Sequence, residues 1–227
     1  MIIAALLTKQ IMKIPSIIIY CLLQTTVVQA ATTVTGTWNV SVTIPDNNDV
    51  GYTSMQSLLS PGISQIQSVS VQLTFSGGWD GDLYAYLVHD NVVSVLLNRP
   101  GKSLANPDGS GASGLIVTLS DDATQDIHTS LPASGLASGN FQPDGRTTDP
   151  KLVLDTDPRT APLSVFNGQD ASGSWTLFVA DQSAGEVSTL QSWSLTVTGV
   201  PEPSPCLLGA LGSIPWLFRR KMNRSFA

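Results

Sequence analysis

Residues 166–198 read FNGQDASGSWTLFVADQSAGEVSTLQSWSLTVT. Apolar and polar residues alternate along two short runs, and the Gly/Ser/Asp residues between them mark a turn. Trp175, Leu177 and Val179 fall on one face of the first run. Trp193, Leu195 and Val197 fall on one face of the second, with Ser192, Ser194, Thr196 and Thr198 on the other. Side chains of a strand point alternately to its two faces, so each run covers a core on one side and meets water on the other. The stretch is a wall of a β-sandwich.

The same alternation recurs upstream. VTGTWNVSVT, from Val34 to Thr43, reads as a first strand with Val34 or Trp38 inward, ending at Ile44-Pro45-Asp46-Asn47-Asn48. Proline removes a ladder donor there and Asp/Asn favour a turn. Further strands are expected from Gln67 to Phe75, Asp82 to Val88, Val92 to Leu97 and Gly114 to Leu119, with a weaker one from Tyr52 to Leu58. About eight short strands and no sustained 3.6-residue period predict an all-β sandwich. Residues Ser120 to Ser164 are the least regular and are expected to form a long surface excursion.

The chain has 227 residues and a net charge of -6, unevenly placed. All acidic residues lie between Asp46 and Glu202, whereas Lys9, Lys13, Arg219, Arg220, Lys221 and Arg224 lie in the two ends. The body is therefore strongly acidic and repels nucleic acid and anionic membranes, which excludes a DNA or RNA role. Both cysteines, Cys21 and Cys206, also lie in the ends. A body of roughly 170 residues buries about 70% of its unfolded surface and folds without disulfides.

The N-terminal end places Lys9 and Lys13 before an apolar run, Ile14 to Leu23, and then Val28-Gln29-Ala30. That is the order of a secretory signal peptide cleaved after Ala30, and Met12 offers a second start. At the other end, Val200-Pro201-Glu202-Pro203 is followed by an apolar run from Pro205 to Phe218 and then Arg219-Arg220-Lys221. Fourteen helical residues span about 21 Å, short of the ~30 Å hydrocarbon core. The expected division is a signal peptide over 1–30, a sandwich over 31–199 and a sorting tail over 200–227 with a short transmembrane helix.

The tail, with Val200, Pro201, Glu202 and Pro203 ahead of the apolar run and basic end, resembles a PEP-CTERM sorting signal. The resemblance implies a Gram-negative-type bacterium, export by the Sec machinery, cleavage by signal peptidase, a pause in the inner membrane and processing by exosortase. The product is then at the cell surface or outside the cell. Ile44-Pro45-Asp46-Asn47, Gly81-Asp82-Leu83, Asp121-Asp122-Ala123, Leu163 to Gly168, Gly173 to Leu177, Asp181 and Leu190 to Leu195 resemble the P domain (P/Homo B domain) of subtilisin-like proprotein convertases. That resemblance implies a jelly-roll, galactose-binding-like sandwich that supports a subtilisin-like catalytic domain, for which this chain has no room. Where the family has a Ser-Pro-x-Gly turn, the chain has Val88-His89-Asp90-Asn91.

For nucleophilic catalysis a Ser or Cys needs a histidine base within hydrogen-bond reach. The two histidines, His89 and His128, fall in predicted turns or loops and are expected to be exposed, so no enzyme activity is expected. Calcium selects six to eight oxygens, and Asp80, Asp82, Asp121, Asp122 and Asp181 are the candidate carboxylates. Their other reading is as turn caps bonded to backbone amides. The loop from Asp46 to Gly51 starts like an EF-hand but has Val50 at its fifth position and Ser57 at its twelfth, which leaves a turn. Trp79, in Gly77-Gly78-Trp79-Asp80-Gly81, is either a rim residue or a stacking platform for an extracellular polysaccharide. The expected function is an exported, non-catalytic binding or structural protein. Its alternatives are an accessory module for a separately encoded subtilisin-like protease and a carbohydrate-binding jelly roll.

Overall fold

The computed structural model describes residues 30–58 and 62–201. Nine strands are present among them: β1 (Thr32–Thr43), β2 (Asn48–Ser57), β3 (Ile63–Gly77), β4 (Leu83–His89), β5 (Val92–Asn98), β6 (Ala112–Ser120), β7 (Gly135–Phe141), β8 (Ser174–Asp181) and β9 (Ser188–Pro201). They form a five-stranded sheet ordered β1-β9-β3-β6-β7 and a four-stranded sheet ordered β2-β8-β4-β5. The expected sandwich is thus observed, with one strand more than the periodicity counted. No helix among the described residues is long and apolar enough to cross a membrane. Both hydrophobic ends, with Glu202 and Pro203, lie outside the described residues.

The stretch 166–198 builds the middle of both sheets. Trp175, Leu177 and Val179 are buried on β8, and Trp193, Leu195 and Val197 on β9, as their phase requires. β9 pairs with β1 on one side and β3 on the other, with Trp193 opposite Trp38 and Leu73. Its outer face carries threonine ladders, Thr33 to Thr198 at 2.8 Å and Thr35 to Thr196 at 2.9 Å, which use the short cross-strand distance for a hydrogen bond. β1 alternates half-buried and exposed residues along its length, as an edge strand of one half-covered face does.

One departure has a physical cause. Residues Ser120 to Ser164 are not merely a surface excursion: β7 adds to the sheet edge parallel to β6, from Ala112 opposite Gly135 to Leu119 opposite Phe141. Its pattern, with only Ala137 and Phe141 buried, has no period-two apolar signal. A one-turn helix, Ile127–Ser130, precedes it, capped by the Asp126 side chain accepting from the His128 N–H at 2.9 Å. The turn expected between β4 and β5 is a two-residue hairpin, in which Asp90 and Asn91 adopt φ of 45° and 67° and close one strand onto the other. Positive φ at both positions matches the right-handed strand twist, and Asp and Asn tolerate it best after glycine.

Candidate functional site

The end of the sandwich where β3 meets β4 holds a group of buried carboxylates. Gly77 and Gly78 take φ of 67° and 66°, and a Cβ on Gly78 would collide with Ser188, so only glycine makes this turn. A 3-10 turn, Asp80–Asp82, follows and faces both acids inward. Gly81 seats it against the backbone of Gly109 and Ser110, its N–H donating to the Ser110 carbonyl at 2.9 Å. Asp181 closes the group from the end of β8, opposite Leu83 across the ladder, and the Gln182 N–H donates to the Asp82 carbonyl at 2.8 Å.

These acids are short of donors. Asp80 is 1% exposed and neither carboxylate oxygen has a well-formed hydrogen bond. Burial pushes its pKa up to about 7, and the nearby Gly114 N–H offsets this only in part. Asp82 accepts one bond from Arg99 Nη2 at 3.2 Å and leaves Oδ2 unpartnered. Burial, helped by the Asp181 charge and opposed by Arg99, raises it to about 6. Asp181 accepts from the Ser183 N–H at 3.1 Å, leaves its own Oδ2 unpartnered, and is raised by burial and by Asp46. Arg99 is the basic residue at this group. Its guanidinium is shared with the carbonyls of Gly81 and Asp108, and its backbone holds φ of 49°, a strained conformation for a non-glycine residue.

Buried, unpartnered carboxylate oxygens call for an explanation, and a hard cation is the partner such oxygens select. Asp80, Asp82 and Asp181 are the carboxylates that carry such oxygens. Among the described residues no three His, Cys, Asp or Glu side chains converge on one point, so side chains alone do not complete a metal cage.

The other two candidates lie at the opposite end of β6. Asp121 accepts from the N–H groups of Leu163 at 3.0 Å and Ser164 at 2.6 Å, at the start of the 3-10 turn Leu163–Phe166. It therefore serves as a cap. Asp122 is exposed beside it. The structure buries three of the five aspartates at one end of the sandwich, Asp82 beside Asp181 and Asp80 toward the Gly114 N–H, and sets this pair apart. Trp79 is 43% exposed, with its ring over Gly185, a rim position at the Asp80 end.

Neither histidine is an exposed loop residue, contrary to the expectation from sequence. His89 is fully buried, its ring stacked on Trp175 with centroids 4.0 Å apart and planes 2° from parallel. Its Nδ1 faces the Ser174 carbonyl at 3.0 Å and its Nε2 the Asp170 carbonyl at 2.8 Å. The missed signal was its phase, since His89 continues the inward series Leu83, Ala85, Leu87. His128 is also fully buried, with Nδ1 2.7 Å from Asp144 Oδ2 and Nε2 2.8 Å from the Lys102 carbonyl. Burial disfavours its charged ring, yet the Asp144 carboxylate outweighs that and holds its pKa above the usual histidine value.

Asp144 is the hub of a network that sequence reasoning missed altogether. Its Oδ2 also accepts from the Asn98 N–H at 3.1 Å, and its Oδ1 from Arg146 Nη1 at 3.2 Å. Arg146 Nη2 donates to Asp126 Oδ2 and to the Asp155 carbonyl, each at 2.9 Å. Arg159 Nε donates to the Asp144 carbonyl at 3.0 Å. Four segments of the irregular region are thereby tied to β5.

The ring nitrogens of both histidines face backbone or carboxylate oxygens, and both side chains are buried. The class defined by this architecture is a β-sandwich with buried carboxylates at one end. Residues 146–197, which include β8, Asp181 and most of β9, match the family described as the proprotein convertase P-domain. The chain is also similar to the solved serine protease of Aeromonas sobria in complex with its chaperone, at 17% identity and a TM-score of 0.43. It is similar to the same organism's serine protease crystallised separately, at 16% identity and a TM-score of 0.42. Each alignment covers 75% of this chain and 27% of the solved one, so the chain spans about a quarter of those proteins. No curated protein matches it.

Proposed function

We propose that the chain is an exported, non-catalytic P-domain protein, released by signal peptidase after Ala30 and by exosortase at Val200-Pro201-Glu202-Pro203, that acts outside the cytoplasmic membrane as a binding or structural component. The observation that carries this reading is the P-domain match on a sandwich whose two histidines are both buried and fully engaged. Thr32 at the start of β1 pairs with Gly199 near the end of β9, so the two proposed cut sites adjoin neighbouring strands at one end of the sandwich. The acids Asp80, Asp82 and Asp181 sit at the other end, where Gly77 pairs with Ser188. Mass analysis of the secreted form is expected to find termini near Ala31 and Val200. Full-length protein retaining Arg219 to Lys221 in the membrane fraction would overturn the processing.

Calcium at Asp80, Asp82 and Asp181 is the second part of the proposal, supported by their unpartnered oxygens. Saturating Ca²⁺ at about 100 times its Kd adds about 2.7 kcal/mol to the stability. For a domain of this size that raises Tm by roughly 5–10 °C over EDTA. The ligands must be ionised, so the rise is larger at pH 8 than at pH 5.5, where Asp80 and Asp82 hold protons. Asp80→Asn is expected to raise Tm in EDTA, because it removes a buried charge, and to abolish the calcium response. Superimposable melts with and without Ca²⁺ at pH 8 would remove the metal from the proposal.

The family match also favours a second reading, an accessory module for a separately encoded subtilisin-like protease. A catalytic domain of that type that refolds only when this protein is added would establish it.

A further inference from the structure

The outer face of the four-stranded sheet carries an aromatic feature separate from the buried acids. Along β4, Tyr84 and Tyr86 alternate with the buried Leu83, Ala85 and Leu87, so both rings stand on the outer face. Phe178 on β8 lies directly opposite Tyr86 in the ladder. The Tyr86 and Phe178 rings stack at 4.7 Å with planes 17° apart, and Tyr84 meets Tyr86 edge-on at 5.8 Å. These rings line a groove of about 290 Å³, just below the usual range for small-ligand sites.

The walls of the groove are polar. Asp149, Pro150 and Lys151 approach from the irregular region, and Asp49 and Gln182 from the strand ends. Lys151 Nζ donates to Asp49 Oδ2 at 3.0 Å, an exposed pair that leaves both groups able to exchange partners at little cost. Burial, and then the neighbouring Tyr86 and Asp149, raise the Tyr84 pKa, so its hydroxyl remains a donor at neutral and mildly alkaline pH.

We infer that this groove binds a neutral glycan, with sugar rings seated on Tyr84, Tyr86 and Phe178 and their hydroxyls bonded to Asp149, Lys151 and Gln182. A pyranose has an apolar C–H face and a rim of hydroxyls. Its C–H face complements the negative face of an aromatic ring, and its rim complements a ring of carboxylate, ammonium and amide groups. Charge selects among glycans. Sixteen of the 17 acidic residues but only five of the 11 basic ones lie between Asp46 and Val200, so an anionic polymer is repelled. The inference rests on the reading of the chain as a binding module, but it requires neither calcium nor Trp79.

The test is affinity electrophoresis of the secreted protein in native gels containing a soluble β-glucan, a xylan or a galactomannan, with alginate as the anionic control. At least one neutral polymer is expected to retard the wild type, and alginate is not. Tyr86→Ala and Phe178→Ala should weaken retardation at least tenfold. Lys151→Ala, an exposed change that leaves the fold intact, should weaken it severalfold, while Trp79→Ala leaves it unchanged. Absence of retardation by all three neutral polymers overturns the inference, as does equal retardation of wild type and the Lys151 and Tyr86 variants. So does retardation lost only in Trp79→Ala. Protection of Tyr86 by a subtilisin-like catalytic domain, with no polysaccharide bound, assigns the face to a protein and also overturns it. None of these outcomes alters the secreted mass or the calcium melt, so failure here is separable from failure of the proposed function.

Discussion

Asp144→Ala is expected to destabilise the protein by about 3–5 kcal/mol, the cost of breaking a buried ion pair from one side. The substitution leaves His128 Nδ1 and the Asn98 N–H without their carboxylate acceptor and removes the shortest bond of Arg146 Nη1, all at buried residues. At roughly 2–4 °C per kcal/mol for a domain of this size, Tm falls by about 6–20 °C. The effect depends on pH in a defined direction. The folded pKa of His128 lies above its unfolded value, so its contribution is complete below about pH 6.5 and is lost as pH rises through the folded pKa. The gap between wild type and Asp144→Ala is therefore widest in mild acid and narrows in alkali. His128→Gln should remove that narrowing while retaining part of the network. Urea titrations at pH 6 and pH 9 read both quantities. A loss below about 1 kcal/mol at both pH values would mean that water fills the gap and that Asp144 is not the hub.

How much of this the sequence discloses depends on how local the cause is. Alternation is local, so the faces of Trp175, Leu177, Val179, Trp193, Leu195 and Val197 were legible, as was the sandwich they imply. His89 was legible in the same way, because it continues the phase of Leu83, Ala85 and Leu87; treating it as part of a turn overrode that signal. The Asp144 network was not legible. His128, Asp144 and Arg146 meet Lys102 and Asn98 only because β5 lies beneath the irregular region, and no spacing rule encodes that contact. β7 was invisible for a related reason: a parallel edge strand of Gly, Ser and Asn has its pairing set by β6 and shows no pattern of its own. Among the acidic candidates, the sequence offered five aspartates of equal standing. Burial separates them, placing Asp80, Asp82 and Asp181 without sufficient donors and giving Asp121 two amides.

Trp175→Ala is the second large expected effect, about 3–5 kcal/mol for an aromatic removed from a filled core. The ring is fully buried, its Nε1–H donates to the Ala171 carbonyl at 3.2 Å, and Phe166 meets it edge-on at 5.1 Å. It is also the surface on which His89 lies, so the cavity removes the neighbour that fixes the imidazole between the Ser174 and Asp170 carbonyls. Trp175→Phe keeps an aromatic face for His89 but loses the Ala171 bond and some volume, and should cost about half as much. The contrast with Trp79→Ala is the sharper measurement. Trp79 is 43% exposed, so its removal should shift the unfolding free energy by no more than about 0.5 kcal/mol. In urea, Trp175→Ala lowers the midpoint without changing the slope, because the surface exposed on unfolding is nearly the same. Equal losses at Trp175 and Trp79 would contradict the division between a core tryptophan and a rim one, and with it the reading of residues 166–198 as the inner wall of the sandwich.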